Sequence, residues 1–151
     1  MLMRELYRLI YLSHNEITGN SNCIHREIGD ILAISRKLNA DAGITGALMF
    51  NKNCFAQILE GAHHRIQETF ERIQCDPRHS RVAILDFKPI QNRSFAHWSM
   101  AYVGQENLAA QEFMQIQKDS EFDMNRLTGE TIFSLLRSHL YAAEQDNSCK
   151  V

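Results

Sequence analysis

The sequence predicts an α+β fold in which one open β-sheet carries two helices on the same face. Short runs of aliphatic and aromatic residues, typical of strands, are separated by two longer segments whose apolar residues recur every three or four positions, as in amphipathic helices. These segments follow one another in the order β-α-β-β-α-β-β, and a further helical region comes after the last strand. The first six elements match the ferredoxin-like split βαβ arrangement, which places both helices on one side of the sheet.

The first strand is predicted over residues 6–12, where aliphatic and aromatic residues follow one another. Residues 14–22 are polar and include the turn signal Gly19-Asn20, so we expect a loop there. Isoleucine and leucine then recur at helical spacing, which predicts the first helix over residues 23–39, ending before Gly43.

A hairpin is predicted to follow the first helix. Residues 44–50 and 54–59 are two apolar runs typical of strands. Between them, Asn51-Lys52-Asn53 has the composition of a tight turn. The two runs are therefore expected to pair as neighbouring antiparallel strands.

The second helix and two more strands complete the predicted sheet. The helix is expected to end before Pro77. Its inner face is predicted to consist of Ile66, Phe70 and Ile73. A fourth strand is predicted over residues 82–87, closed by Pro89, and a fifth over residues 98–103.

After Gly104 the sequence becomes helical in character. A short amphipathic segment is predicted around Leu108, Phe113 and Ile116. A longer one carries an apolar stripe that consists of Ile132, Leu135, Leu136, His139, Leu140 and Ala143. Such a stripe must be buried, either on the far face of the sheet or against a second subunit. We therefore expect a sheet domain over residues 1–104 and C-terminal helices over residues 105–151.

The composition of the 151 residues is that of a soluble globular protein, with 44% hydrophobic and 23% charged residues. The formal net charge is -2, so the sequence has neither the excess of positive charge that favours binding to nucleic acid nor a polybasic surface for membranes. The N-terminus lacks the apolar run of a signal peptide, and no uncharged stretch is long enough to span a bilayer. We therefore expect a cytoplasmic protein that binds neither nucleic acid nor a membrane.

The cysteines and histidines do not predict a metal site. None of the 4 cysteines belongs to a CxxC pair or to a zinc-ligand spacing. As free thiols they fit a reducing cytoplasm. His63 and His64 are adjacent, so on a helix they would point about 100° apart, which is unsuited to shared ligation of one ion.

The informative residues are polar side chains at positions where the pattern requires apolar ones. Ser35 and Asn39 continue the apolar stripe of the first helix, and Gln57 interrupts the third strand. Tyr11 shares one face of the first strand with Leu9. A buried amide without a partner costs about 1–3 kcal/mol, so such groups need a polar partner. A flat heterocycle with alternating carbonyls and nitrogens, such as a flavin ring, would satisfy several of them at once.

Each of these residues also has an ordinary structural interpretation. Gln57 could bond to backbone at a sheet edge, and Asn39 could be a residue of the helix C-terminus. Tyr11 could be a core residue with a satisfied hydroxyl, and Trp98 and Met100, which alternate on the predicted last strand, could be plain packing. Composition and periodicity alone therefore do not identify a cofactor.

Six ordered stretches distinguish this chain from other members of its fold class. They are Leu9-Ile10-Tyr11-Leu12-Ser13, residues 35–39, Gly43-Ile44-Thr45-Gly46-Ala47-Leu48, Phe55-Ala56-Gln57-Ile58-Leu59-Glu60-Gly61, Asp76-Pro77-Arg78-His79 and Arg93-Ser94-Phe95-Ala96-His97-Trp98-Ser99-Met100. In this order and combination they resemble the BLUF family, the blue-light sensors that use FAD. The resemblance extends over residues 6–103, about two thirds of the chain.

The resemblance implies a role for each matching residue. Tyr11 matches the photoactive tyrosine that donates an electron and a proton to excited flavin, and Gln57 matches the glutamine that switches its hydrogen bonds. Asn39 matches the asparagine that bonds the carbonyl edge of the flavin. Further flavin contacts are implied for Ser35, Ile31, Phe55, Asp76, Arg78 and His79. Trp98 and Met100 match the pair implicated in passing the signal through the last strand.

The resemblance also implies how such a protein works, as a sensor and not as an enzyme. Light briefly moves an electron and a proton from the tyrosine to the flavin, and their return leaves the glutamine rotated or in another tautomer. The flavin carbonyl gains a hydrogen bond and the absorption band shifts slightly to the red. The expected cofactor is FAD, with FMN or riboflavin as alternatives, and the cofactor supplies the photochemistry.

The expected partner is a separate protein, as for the short stand-alone members of the family. No output enzyme domain is recognised in the sequence, so the effect is expected to pass to an unidentified downstream protein or through a homo-oligomer.

Two other functions are considered on the same fold. An acylphosphatase-like hydrolase needs an arginine-bearing anion loop after the first strand, but residues 14–22 contain neither Arg nor Lys. A cofactor-free interaction module, a degenerate sensor, is expected to have lost Tyr11 or Gln57, and both are present.

Overall fold

The computed structural model describes residues 5–50, 54–103 and 128–147. In chain order its elements are β1 Leu6–Asn15, α1 Ser21–Ala42, β2 Thr45–Phe50, β3 Cys54–Ala62, α2 His63–Gln74, β4 His79–Ile90, β5 Ala101–Val103 and α3 Gly129–Asn147. The predicted turn at residues 51–53 and the predicted helical segment around Leu108, Phe113 and Ile116 lie outside the described residues.

In the part of the chain that the structure describes, the strands form one sheet of 5 strands in the order β4-β1-β3-β2-β5. β1 pairs antiparallel with both β3 and β4, and β2 pairs antiparallel with β3. This is the ferredoxin-like arrangement, so the predicted α+β fold is confirmed. β5 lies parallel to β2 at the edge of the sheet.

Helix α1 is longer at both ends than the predicted range of residues 23–39. At its start the Asn20 side chain accepts a hydrogen bond from the Cys23 N–H at 2.9 Å, which caps the first turn. At its end Gly43 adopts a φ of 69°, the left-handed conformation that commonly closes a helix. The helix therefore continues beyond Asn39 to the glycine, and Asn39 lies within its last turns.

Gly46, which follows closely on the helix, allows β2 to approach β3. A Cβ at this position would lie 1.9 Å from the Ile58 carbonyl oxygen, so a larger residue would push the two strands apart. The Gly46 N–H also donates to the Trp98 carbonyl at 3.0 Å. This hydrogen bond ties β2 to the segment that leads into β5.

The two faces of the sheet carry separate hydrophobic clusters. On one face, Leu9 and Tyr11 of β1 pack with apolar residues of α1 and α2. On the other face, Ile10 and Leu12 pack with residues of α3 such as Ile132. The prediction that both early helices share one face is confirmed, and α3 covers the far face of the sheet. Because both faces of the sheet are buried, the sequences of the central strands are continuous runs of apolar residues.

β4 runs through Pro89, so the prediction that this proline closes the strand is wrong. Proline lacks the N–H that a central strand needs, but β4 lies at an edge of the sheet. Its residues need hydrogen bonds toward β1 only, and Pro89 pairs with Tyr7 of that strand.

The predicted strand over residues 98–103 is wrong in its first half. β5 contains only Ala101–Val103, and Trp98 and Met100 precede it. They do not share one face, because Met100 packs in the cluster beneath α1 and α2, whereas Trp98 packs against the cluster beneath α3. Side-chain bonds from α1 to the carbonyls of Ser99 and Met100 take the place of strand pairing there.

A buried ion pair between β1 and β3 holds the loop that joins β4 to β5. The Glu60 side chain is fully buried, and it accepts hydrogen bonds from Arg8 Nε at 2.7 Å and from the backbone N–H groups of Ser94 and Phe95 at 2.8 and 2.9 Å. The Arg8 guanidinium lies 4.3 Å from the centre of the Phe133 ring of α3. The pair therefore connects two strands, the loop and α3.

Replacing Glu60 by glutamine is expected to lower the free energy of unfolding by about 3–5 kcal/mol, because the largely buried Arg8 would lose its counter-charge. Urea denaturation measures this change. The matched control is Glu68→Gln, which removes an exposed ion pair with Arg65 at 3.7 Å. It is expected to change the free energy by less than about 1 kcal/mol. Equal effects at both positions would contradict this role of Glu60.

Candidate functional site

A cavity of about 260 Å³ lies between helices α1 and α2 and the sheet. Ile31, Ser35 and Asn39 line it from α1, and their spacing of four residues puts them on one side of that helix. Three of the residues predicted from the family resemblance therefore share one wall.

The sheet contributes Tyr11, Phe55 and Gln57 to the same cavity. Tyr11 and Gln57 are direct partners in the antiparallel pairing of β1 with β3, so their side chains leave the same face of the sheet. Phe55 lies two residues before Gln57 on β3 and therefore also faces the cavity. All three side chains are buried.

A hydrogen bond joins the two polar residues of the cavity floor, with the Tyr11 hydroxyl as donor and Gln57 Oε1 as acceptor. The other end of the glutamine amide is held less firmly. Its Nε2 lies 3.5 Å from Met100 Sδ, and a thioether sulfur is a weak acceptor. The two ends of this amide therefore have unequal partners.

Burial raises the pKa of the Tyr11 phenol well above its ordinary value, and the negative charge of Asp76 raises it further. The phenol therefore carries its proton at neutral pH. This protonation state agrees with its position as the donor to Gln57.

Asp76 and Arg78 form an ion pair that lines the cavity. Arg78 Nη2 lies 2.6 Å from Asp76 Oδ2, and the Arg78 backbone N–H donates to Asp76 Oδ1 at 2.9 Å. Side-chain hydrogen bonds from Arg78 hold the pKa of the Asp76 carboxyl below its ordinary value. The same bonds raise the pKa of Arg78. Glu27 of α1 lies 3.5 Å from the guanidinium, so the pair also contacts the first helix.

His79 binds protein groups through both ring nitrogens. Its Nε2 lies 2.6 Å from the Ile73 carbonyl oxygen, which can only accept, so this nitrogen carries a hydrogen. Its Nδ1 lies 2.7 Å from Ser13 Oγ. The ring centre lies 6.2 Å from those of Tyr11 and Phe55. His79 therefore presents the body of its ring to the cavity, and Ser13 supports it from β1.

The cavity has further lining residues that the sequence analysis did not assign to it. They are Ile34, Leu38, Leu48, Thr69, Arg72 and Ile73. Helical spacing relates Thr69 to Ile73 on α2, so this wall could have been found from periodicity. No comparable signal marks Leu48, because a leucine on a central strand is ordinary core.

Of the two predicted relay residues, only Met100 reaches the cavity floor, through its contact with Gln57. Trp98 packs on the opposite face of the sheet, against the cluster that includes residues of α3. The pair therefore spans the edge of the sheet, with one side chain on each face.

A comparison with protein families identifies the family of this chain. Residues 6–101 match the model of BLUF, described as sensors of blue-light using FAD. The chain belongs to the BLUF family. It is therefore a member of a family of flavin-binding, blue-light-sensing modules.

Curated relatives carry the same module within longer chains. The photoactivated adenylate cyclase subunit beta of Euglena longa is 30% identical over 95 residues, which are 63% of this chain and 11% of that protein. The blue light- and temperature-regulated antirepressor BluF of Escherichia coli (strain K12) is 33% identical over 86 residues, 56% of this chain and 20% of that one. This BLUF chain thus spans about a tenth of the cyclase subunit and a fifth of the antirepressor.

Solved BLUF structures match over most of their length. The ground state of BlsA has a TM-score of 0.74 at 30% identity, covering 89% of this chain and 87% of that one. The dark-state structure of BlrB, a BLUF protein, has a TM-score of 0.70 at 32% identity, covering 87% of this chain and 97% of that one.

Within residues 5–50, 54–103 and 128–147, no helix is long and apolar enough to cross a membrane. Over the same ranges, no group of three or more His, Cys, Asp or Glu residues is placed to hold a metal ion.

Tyr11 is expected to make the fold less stable above about pH 10. In the unfolded chain the phenol loses its proton near its ordinary pKa of 10.0, whereas burial keeps it protonated in the folded state. Above that pH the unfolded state binds fewer protons, so the free energy of unfolding falls by up to about 1.4 kcal/mol per pH unit through this group. Urea denaturation from neutral pH to about pH 11 should show a shallower decline for Tyr11→Phe. Identical slopes would contradict the raised pKa.

Proposed function

We propose that this chain is a blue-light photoreceptor that holds FAD in the cavity between α1 and α2 and signals by rearranging the hydrogen bonds of Tyr11 and Gln57. The observation that carries the proposal is the hydrogen bond from the Tyr11 hydroxyl to Gln57 Oε1 inside that cavity. This bond links two groups of different chemistry. The Tyr11 phenol can give up a proton and an electron, and the Gln57 amide can both donate and accept hydrogen bonds.

The donors and acceptors of the cavity fit a flavin ring. One edge of that ring carries carbonyl acceptors and an N–H donor, and Asn39 and Gln57 each present an amide. Within the residues that the structure describes, Asn39 Oδ1 has no hydrogen-bond partner, so it is free to accept from a ligand. Ile31, Leu48 and Phe55 supply apolar surface for the flat part of the ring.

The size of the cavity indicates which part of the proposed cofactor it can enclose. Its volume of about 260 Å³ lies just below the range of about 300–1,000 Å³ for pockets that take drug-sized ligands. We therefore propose that the ring system is enclosed, that Asp76, Arg78 and His79 of the cavity lining contact the ring or the ribityl chain, and that the phosphates lie outside. FAD is the proposed cofactor, and FMN or riboflavin would place the same ring in the cavity.

A bound flavin would supply the absorption of light and a temporary acceptor for one electron and one proton. Tyr11 holds the exchangeable proton at its hydroxyl and directs it toward Gln57 Oε1. We propose that the return of the proton leaves the Gln57 amide turned or in another tautomer. Turning the amide gives up the bond from the Tyr11 hydroxyl at Oε1, whereas at Nε2 it gives up only the weak acceptor Met100 Sδ.

Trp98 and Met100 are proposed to relay this change toward the C-terminal helices. Met100 contacts the switching amide, and Ala101 immediately after it begins β5. Trp98 packs against the cluster that includes Ile132 of α3. In this proposal residues 1–104 are the sensor and residues 105–151 carry the output.

We propose that the chain acts as a cytoplasmic sensor on a separate protein, as a homo-oligomer, and not as an enzyme. Its relatives differ in what the module is joined to or acts on, since one is named a cyclase subunit and another an antirepressor. This difference supports the proposal that the output lies in a separate activity. A cofactor-free interaction module is the less favoured alternative, because Tyr11, Asn39 and Gln57 all line the cavity.

The variant Tyr11→Phe is expected to retain bound flavin and to lose the light-induced red shift, because the ring still packs while the donor hydroxyl is gone. Absorption spectra of the purified variant before and after blue light measure both properties. Tyr7→Phe is the matched control, since this hydroxyl does not line the cavity. A normal red shift in Tyr11→Phe would mean that another residue is the donor.

The variant Gln57→Leu is expected to bind flavin without a photocycle, because leucine has neither donor nor acceptor. Gln57→Glu retains part of the hydrogen-bonding capacity and should be less severe. Gln67→Leu, at an exposed position of α2, is the control for the gain in hydrophobicity. If Gln57→Leu shows an intact red shift after blue light, Gln57 has no part in the switch.

A further inference from the structure

Three consecutive backbone carbonyls precede β5, and each is held by a different donor. The Trp98 carbonyl accepts from the Gly46 N–H at 3.0 Å. The Ser99 carbonyl accepts from Asn39 Nδ2 at 2.8 Å, and the Met100 carbonyl accepts from Arg36 Nε at 3.0 Å. Two of the three donors are therefore side chains of α1.

The two side-chain donors lie one helical turn apart on the same helix, and they differ in what else they contact. Asn39 is buried and lines the cavity. Arg36 is exposed and does not line the cavity. Asn39 can therefore respond to a ligand, whereas Arg36 holds the neighbouring carbonyl from outside.

We propose that Arg36 is a positioning residue that, together with Asn39, couples the cavity to β5 through the backbone of Ser99 and Met100. We call these two side chains and the two carbonyls the α1 clasp. The inference rests on the proposed function, and it adds a route that does not pass through the Met100 side chain.

The chemistry of the Asn39 amide explains how the clasp could respond. One of its N–H groups is used on the Ser99 carbonyl, so its other N–H and its Oδ1 remain for a ligand in the cavity. A change in hydrogen bonding on the ligand side pulls on the same rigid amide plane, and therefore on Ser99. One exchanged hydrogen bond changes a two-state equilibrium by about two- to tenfold.

Arg36 determines whether such a shift reaches β5. Its guanidinium is a charged donor, and bonds from charged donors are stronger than those between neutral groups. It fixes the Met100 carbonyl directly before Ala101, the first residue of β5. Without it, movement at Ser99 would be absorbed at Met100 and would not be transmitted to the strand.

The test uses the full-length chain with bound flavin and two readouts. The first is the light-induced red shift, which reports the switch at the cavity. The second is the light-to-dark ratio of amide hydrogen exchange in a peptide covering residues 99–103, which reports the strand. The variants are Arg36→Ala, Arg36→Lys, which keeps a charged donor, and the control Lys37→Ala on the neighbouring exposed residue.

Wild type and Lys37→Ala are expected to show a red shift and an exchange ratio that differs from unity by about two- to tenfold. Arg36→Ala should keep the red shift while its ratio falls to near unity, and Arg36→Lys should restore part of the difference. If Arg36→Ala does not fold, Arg36→Gln takes its place with the same expectation.

Three results would overturn the inference. An unchanged exchange ratio in Arg36→Ala would make the clasp a purely structural contact. Loss of the red shift in Arg36→Ala and Arg36→Lys would place Arg36 in the photochemical site. A wild type with a red shift but no light-dependent exchange at residues 99–103 would exclude this route and leave the photochemistry intact. In this experiment, a wild type without a red shift would instead contradict the proposed function itself.

Discussion

The site depends first on the register between β1 and β3, which places Tyr11 directly opposite Gln57. Both faces of both strands are buried, since Leu9 and Ile10 of β1 belong to clusters on opposite sides of the sheet, as do Leu59 and Ile58 of β3. A slip of one residue would turn every side chain of one strand to the wrong face, so the register is strongly specified. The hydrogen bond between the two polar residues is therefore a consequence of hydrophobic packing on both sides of the sheet. For the proposed switch, this register fixes the positions of Tyr11 and Gln57 while the Gln57 amide changes its hydrogen-bond partners.

The same two central strands also support the far side of the sheet. Glu60 follows Gln57 by three residues on β3, and its ion pair with Arg8 holds the loop toward β5 and brings a guanidinium onto Phe133 of α3. The cavity and α3 are thus placed back to back on one rigid layer. Close packing within such a layer transmits small displacements, because there is little free volume to absorb them. This arrangement gives a physical basis for the proposed output through α3, which does not line the cavity.

Much of this architecture could be predicted from the sequence, because strand and helix periods and glycine positions are local signals. Ser35 and Asn39 interrupt an apolar stripe, and this placed them on the buried side of α1, where they line the cavity. The predictions that failed concerned features that depend on the tertiary arrangement. The alternation of Trp98 and Met100 on a predicted strand implied a shared face, but α1 side chains bind the carbonyls of Ser99 and Met100, and β5 begins only at Ala101. Such contacts join residues about 60 positions apart, and no local pattern records them. The contact of His79 with Ser13, 66 positions away, was missed for the same reason.

We propose that light changes hydrogen bonds between this chain and its flavin and leaves the fold in place. A light-minus-dark infrared difference spectrum of the purified wild-type protein tests it most directly. We expect the stretching band of the flavin carbonyl to move to lower frequency in the light, because the carbonyl gains a hydrogen bond, and to return in the dark. A carbonyl band that does not move, in a protein that binds flavin and absorbs blue light, would contradict this proposal.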